Sequence, residues 1–405
     1  MYAVATALQR PHIDWRLKVH PVDTLDLLSE RDMSRYRLQR RLIGPVYRAE
    51  NVARYRKAID KVLDSAVTKI HSLQGAKVDL KEWMHIISVE CLGAVVLSWS
   101  PGLLKQGTDW GTSTHSYRAW RRKSVMGLFP TVAKLEMCYK IIGRVFSHVW
   151  DLTFIPPPNF RPFFPPIGRR ISKRIKAMNR GSKQDHDDLA ADLMRIHQEK
   201  PAFSEPYLRK MIMTNFGAGH ETLASTLTSV MAMIGTHDEV PRKLSEELRS
   251  SDSITMHYLE AVIKETKRLH PVIATALPRR VPREGLHIDG VFVPAGTTVG
   301  CNPIALHRNE DICGPDPDVF SPERWLDSLD CARDMEQFSL SWGGGARTCP
   351  GRQLAEMIVQ KVISRMTEEF ELEVHMPDFQ EMPSYFLSIM TGVSVRFLPK
   401  RKDQG

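Results

Sequence analysis

The most specific chemistry in this chain is carried by Trp342-Gly-Gly-Gly345-Ala-Arg347-Thr-Cys349-Pro350-Gly351-Arg352. Glycines let a backbone turn tightly and approach a flat ligand closely. Such a loop can aim amide N–H groups at the Cys349 sulfur, and a thiolate bonded in this way is a strong axial donor to iron. Arg347, two residues earlier, can neutralise a carboxylate on the same ligand. The run Gln353 to Phe370 reads as a helix, so Cys349 precedes a helix N-terminus, which further favours an anionic sulfur. A lone cysteine in a glycine-rich loop is ordinarily a buried structural thiol. The glycines, the arginine and the following helix together separate Cys349 from that ordinary case.

Two further groups stand out. Glu265 and Arg268 are spaced i and i+3 on a predicted helix and share a face; alone they would be a surface ion pair of small worth. In Phe216-Gly217-Ala218-Gly219-His220-Glu221-Thr222, small and polar residues interrupt an apolar helix flanked by Met211, Ile212, Leu223 and Leu227. Glycines weaken a helix, and a hydroxyl can bond back into its ladder and bend it. A local opening there can hold water or dioxygen; the plainer reading is a helix packed through small residues.

Taken together these segments resemble a cytochrome P450. The Cys349 loop resembles the family's heme-thiolate loop, with Trp342 where the family usually has Phe. Tyr258-Leu-Glu-Ala-Val-Ile-Lys-Glu265-Thr-Lys-Arg268 resembles its ExxR helix, and Phe320-Ser-Pro-Glu-Arg324-Trp325 the segment completing a Glu–Arg–Arg cluster. The resemblance implies that Glu265, Arg268 and Arg324 form a buried structural network serving folding and heme retention. It implies that Glu221 and Thr222 are the catalytic acid–alcohol pair of the oxygen-activating helix. It also implies that Arg280, in Pro278-Arg279-Arg280-Val281-Pro282, meets a heme propionate together with Arg347. Arg40 takes the same role from Tyr36-Arg-Leu-Gln-Arg40-Arg41, with Arg41 as its rival and Tyr36 where the family has Trp or His. By analogy, Val272 to Leu277 and Phe386 to Thr391 line the substrate side, and their small apolar character points to an apolar substrate.

The elements that must position these residues read as mostly helical. Residues 32–73, 83–99 and 110–150 carry helical patterns, as do 187–198, 205–236, 238–249 and 256–269. The segment 155–168 is expected to be a loop, because its prolines remove donors and fix φ; its three Phe residues need an apolar cover. Arg169 to Lys183 carries seven basic residues and no acid, which reads as a solvated helix face, with a membrane-surface or partner contact as the other reading. Leu286 and Ile288, then Asp289-Gly290, then Val291 and Val293 read as a hairpin. The expected fold is therefore mainly α with small β-sheets, a cytochrome P450 fold lacking the family's anchor and first helices and strands. Residues 1–405 form one N-terminally shortened heme domain in this reading, most like filamentous-fungal members that tailor secondary metabolites.

Composition agrees with a globular enzyme. Of 405 residues, 42% are hydrophobic and 25% charged, which excludes a disordered or fibrous chain. A net charge of +9 gives no reason to propose nucleic acid and allows a membrane surface as partner. The six cysteines show no CxxC pair and make neither a disulfide framework nor a cysteine zinc site. No stretch is long and apolar enough to span a membrane, so the chain reads as soluble; a family-type anchor ahead of Met1 would place it at the endoplasmic reticulum. The implied activity is a heme-thiolate monooxygenase: iron held by Cys349 binds O2, an NADPH-dependent cytochrome P450 reductase supplies electrons, and one oxygen atom enters a small apolar molecule. The alternatives are a heme-thiolate isomerase or dehydratase that uses no O2, and a non-catalytic heme-binding remnant.

Overall fold

A computed structural model describes residues 27, 30, 32–127, 139–149, 160–181, 186–249, 256–378 and 384–400. The helices in the first half are α1 (Met33–Ile43), α2 (Ala49–Ala53), α3 (Arg56–His71), α4 (Leu80–Leu97), α5 (Leu103–Gln106), α6 (Thr112–Gly127) and α7 (Lys140–Val149). Then come α8 (Phe164–Asn179), α9 (Leu189–Glu199), α10 (Glu205–Thr236), α11 (Glu239–Arg249) and α12 (His257–Leu269). The last third holds α13 (Pro303–Leu306), α14 (Glu310–Cys313), α15 (Leu329–Phe338) and α16 (Arg352–Glu369).

Helix α10 runs through the middle of the fold. It packs along α4 and touches α8, α9, α12 and α16. A helix enclosed in this way must be apolar on nearly every side. Accordingly Leu208, Ile212, Phe216, Leu227, Val230 and Met231 are all buried. Helix α4 is buried along almost its whole length and is capped by the Asp79 carboxylate, which accepts from the Glu82 N–H. Its close approach to α10 depends on Gly219: a Cβ there would come 3.0 Å from the Leu92 side chain.

The sheets are small and antiparallel. Strands β1 (Val78–Asp79), β9 (Ser394–Pro399) and β6 (Phe370–His375) form one, in the order β1-β9-β6. Strand β2 (Arg279–Arg280) pairs with β5 (Thr298–Val299), and β7 (Ser384–Tyr385) with β8 (Leu387–Ser388). Strands β3 (Leu286–Ile288) and β4 (Val291–Val293) make the expected hairpin, with Leu286 opposite Val293. Its two turn residues, Asp289 and Gly290, have φ of 49° and 76°. That left-handed pair matches the twist of the strands it joins.

The proline-rich segment departs from expectation. Residues 155–159 lie outside the described residues, but helix α8 starts at Phe164, with Pro165 and Pro166 in its first turn. Proline is tolerated there because the first N–H groups of a helix have no partner within it. The cover its Phe residues need is partly aromatic: Phe163 and Phe164 pack against His220, and Phe160 stacks on His115. The basic run on α8 is not wholly solvated either. Arg174 is buried and pairs with Asp188 at 2.6 Å, while Arg170 lies over the Trp99 ring. The other cysteines sit in ordinary places: Cys91 and Cys313 are buried, and Cys301 and Cys331 exposed. Cys301 falls just beyond β5, and Cys331 lies in helix α15. Cys138 lies outside the described residues.

Candidate active site

The loop ahead of α16 is a tight, internally bonded turn. The Cys349 N–H donates to the Trp342 carbonyl at 2.9 Å, and the Thr348 N–H and hydroxyl both donate to the Gly345 carbonyl. Gly343 and Gly345 have φ of 74° and 59°, values that side chains rarely allow. Cys349 presents open surface to a cavity of about 270 Å³, shared with Arg40, Gly44, Tyr47, Pro350, Arg352 and Gln353. Protein nevertheless surrounds the sulfur closely, and desolvation pushes the thiol pKa up. The Gly351 N–H and the Arg40 charge pull it back towards the thiolate. A cationic ligand atom on the sulfur would complete that trend.

Arg347 is buried and only partly satisfied. Its Nη2 donates to the Glu30 carbonyl at 2.8 Å, and its guanidinium lies 3.6 Å from the centre of the Tyr36 ring. Its Nε and Nη1 have no hydrogen-bond partner. Buried, unpaired guanidinium N–H groups are costly and fit an anionic oxygen of a ligand. The Tyr36 hydroxyl in turn donates to the Ala346 carbonyl at 2.9 Å and ties α1 to the loop. Arg40 lines the cavity of Cys349, whereas Arg41 points to solvent.

The structure distinguishes Arg279 from Arg280. Adjacent residues of a strand face opposite ways. Arg280 is exposed, whereas the Arg279 charge acts on both Arg347 and Tyr36. The sequence expectation selected Arg280; the residue on the Arg347 side is its neighbour. The β2–β5 register, Arg279 opposite Val299, supplies what spacing alone lacked.

Mid-way along α10, Gly217 and Ala218 are exposed and Thr222 is half-buried, although buried residues flank them on both sides. Nothing lies within 4 Å of a Cβ built on Gly217. The Tyr47 hydroxyl, on a side chain that lines the Cys349 cavity, donates to Asn215 Oδ1 at 2.8 Å, two residues ahead of this exposed patch. The Thr222 hydroxyl donates to the Ala218 carbonyl at 2.7 Å, the back-bonding expected of it. Glu221 is buried on the α4 side, near His85, His220 and Lys81, and burial raises its pKa.

Glu265, Arg268 and Arg324 come together as anticipated. Glu265 accepts from Arg268 through both oxygens at 2.8 Å, from Arg324 Nε at 2.9 Å and from Trp325 Nε1 at 2.9 Å. Arg268 also donates to the His307 and Val319 carbonyls. The His307 Nε2 accepts from the Leu340 N–H, just ahead of the cysteine loop. Burial holds that imidazole down at about 4, so it stays neutral and able to accept. His307 carried no sequence signal, because its partners lie more than thirty residues away. Ile273 bridges Leu387, the Ser388 N–H donates to the Val272 carbonyl, and Phe386 stacks on Trp120. The two segments expected to line the substrate side are thus joined.

The donor set fits heme: a cysteine sulfur in a glycine loop, buried arginine N–H groups without partners, and an exposed glycine patch on the central helix. The comparisons agree. A sequence model of the cytochrome P450 family matches residues 20–395. The chain is 49% identical to the cytochrome P450 monooxygenase sdnT of Sordaria araneosa, over 99% of this chain and 79% of that protein. It is 27% identical to a pisatin demethylase of Fusarium vanettenii, over 93% and 75% of the two chains. The crystal structure of a cytochrome P450 (CYP102L1) superposes with a TM-score of 0.70 at 16% identity, covering 92% of this chain and 81% of that one. Loop, network, helix and fold thus converge with sequence similarity on a single conclusion: this chain belongs to the cytochrome P450 family, a mainly helical oxidoreductase of the monooxygenase kind.

Proposed function

We propose that the protein inserts one oxygen atom from O2 into a small apolar molecule of fungal secondary metabolism, using electrons from an NADPH-dependent cytochrome P450 reductase. The single observation that supports this reading is the Cys349 cavity, which Tyr47 ties to α10 two residues ahead of the exposed Gly217–Ala218 patch. Bound there, heme supplies the activation of dioxygen. Cys349 would hold it from one side as the thiolate. Arg347, Arg40 and Arg279 would meet its carboxylates, with Arg279 taking the role first expected of Arg280. Thr222 and Glu221 would hold and move protons on the α10 side. Glu221 suits that task because its raised pKa keeps a proton available. The Ile273–Leu387 bridge joins the two mostly small and apolar segments assigned to the substrate side, which favours an apolar substrate.

One face of the molecule suits a membrane surface. Helix α7 exposes Ile141, Val145 and Val149, an apolar face with no cover among the described residues. No described helix is long and apolar enough to cross a membrane.

The test uses heme-loaded protein with reductase and NADPH. Thr222→Ala should release several-fold more hydrogen peroxide per NADPH consumed, because proton supply to the dioxygen side is impaired. Unchanged coupling in that variant would point instead to an isomerase or dehydratase.

A further inference from the structure

Where α4 crosses α10, three buried side chains converge that carry ligand atoms of the same kind. His85 Nε2 lies 2.9 Å from His220 Nδ1. Glu221 Oε1 lies 3.9 Å from the first and 3.6 Å from the second. Neither Glu221 oxygen has a partner in hydrogen-bonding geometry, and the Lys81 charge and the Ser116 hydroxyl offset its burial only in part, so its pKa stays raised. A hydrogen bond between the two imidazoles accounts for the rings. It leaves the carboxylate, 2% exposed, with no donor in hydrogen-bonding geometry. A buried carboxylate in that condition is costly and calls for a cation or a donor.

The spacing suits a small dication. An ion with bonds of about 2.0–2.1 Å in tetrahedral geometry sets its ligand atoms about 3.3 Å apart. The three distances bracket that value, so shifts of about half an ångström close the site. The surroundings are those of a metal-bound histidine. The His85 Nδ1 lies 3.1 Å from Asp109 Oδ2. Asp109 is itself fixed by the N–H groups of Gly111 and Ser113, each at 2.8 Å. A carboxylate facing Nδ1 turns the Nε2 lone pair towards His220, where a metal would replace the hydrogen bond between the rings. Burial keeps His220 neutral, the form that ligates. Glu221 and Asp109 together offer two negative charges to balance a dication. The other buried cation close by, Lys81, donates to the Ser113 carbonyl at 3.3 Å. Two nitrogens, one oxygen and no sulfur suit zinc.

We infer that His85, His220 and Glu221 form a binding site for a divalent metal ion of the zinc class, oriented by Asp109, that clamps α4 to α10. An ion there would hold Glu221 ionised and stop the proton transfer assigned to it above, so the zinc-loaded protein is the inhibited form. The site stands on its own residues and does not rest on the heme reading.

Heme-loaded protein is incubated with zinc ion alone and exchanged into zinc-free buffer. Metal per chain is then counted, and the zinc X-ray absorption recorded. One zinc per chain with only nitrogen and oxygen neighbours is expected. His85→Gln and His220→Gln should each bind at least tenfold more weakly, and Asp109→Asn about 10–100-fold more weakly. His287→Gln, on an exposed strand, should bind like the parent. The heme absorption of each sample reports folding, and reports on the heme reading separately. No zinc retained by the parent chain overturns the site, as does sulfur in the zinc shell or undiminished binding in both histidine variants. The shell measured on the parent chain decides the matter even where a variant fails to fold.

Discussion

Cys349 is one of five described cysteines, and chemistry rather than burial sets it apart. Its sulfur faces a cavity beside Arg40 and receives the Gly351 N–H. Burial alone would make it an inert thiol, so an axial role depends on those two influences and on the ligand itself. Cys349→Ala should abolish the red-shifted Soret band of reduced protein under carbon monoxide, together with all oxygenation. Cys349→Ser should retain some heme without that band, since a neutral hydroxyl is a poor donor to iron. Changing Cys91, Cys301, Cys313 or Cys331 to Ser or Ala should leave the band intact, at a stability cost of about 1–3 kcal/mol where the site is buried. Loss of the band in any of those four with the fold intact would overturn the assignment. The two adjacent arginines of β2 give a second comparison at this scale. Arg279→Gln should speed heme loss to an apoprotein acceptor, and Arg280→Gln should not.

Among elements, the junction of α12 with the segment around Trp325 is the most demanding. Glu265 is fully buried and serves Arg268, Arg324, Trp325 and the Ser321 N–H at once. A buried carboxylate with that many donors is stable only while all of them stay in place. Glu265→Gln should destabilise the protein by about 3–5 kcal/mol, because two guanidinium groups lose their counter-charge. Urea unfolding measures the loss; a change below about 1 kcal/mol would show that the network is not structural. Helix α8 carries a different lesson. Its paired prolines looked like breakers, yet their position in the first turn makes them a start signal.

For the whole molecule, the buried His307 imidazole adds a definite share to the response to acid. His307 is held at about 4 by burial, with the charges of Arg268 and Arg308 adding to it. An unfolded chain restores the ordinary value near 6.5, so between about 6.5 and 4 the unfolded state binds the extra proton. The contribution of His307 is therefore fully present above about 6.5 and falls as the pH drops towards 4. The slope is about 1.4 kcal/mol per pH unit. His307→Gln should lower stability at pH 7 through the lost Leu340 contact and should flatten the acid limb by one proton. Denaturant midpoints taken at several pH values check both signs; an acid limb as steep as the parent's would exclude His307 as the source.

The amino-acid order by itself determined the cysteine loop, the Glu265–Arg268 spacing, the long central helix and the Asp289-Gly290 hairpin. Each is written within about thirty residues, as a period, a cap or a turn that a linear reading can count. Tertiary structure decided the rest. The face Arg279 presents depends on a strand register, and Arg40 rather than Arg41 reaches the cavity through the roll of α1. His85 and His220 stand 135 residues apart and meet where α4 packs closely on α10 beside Gly219. Such meetings arise from the packing of surfaces, which sequence constrains only through the sum of many weak contacts. Local pattern therefore named the chemistry, and packing chose the residues that surround it.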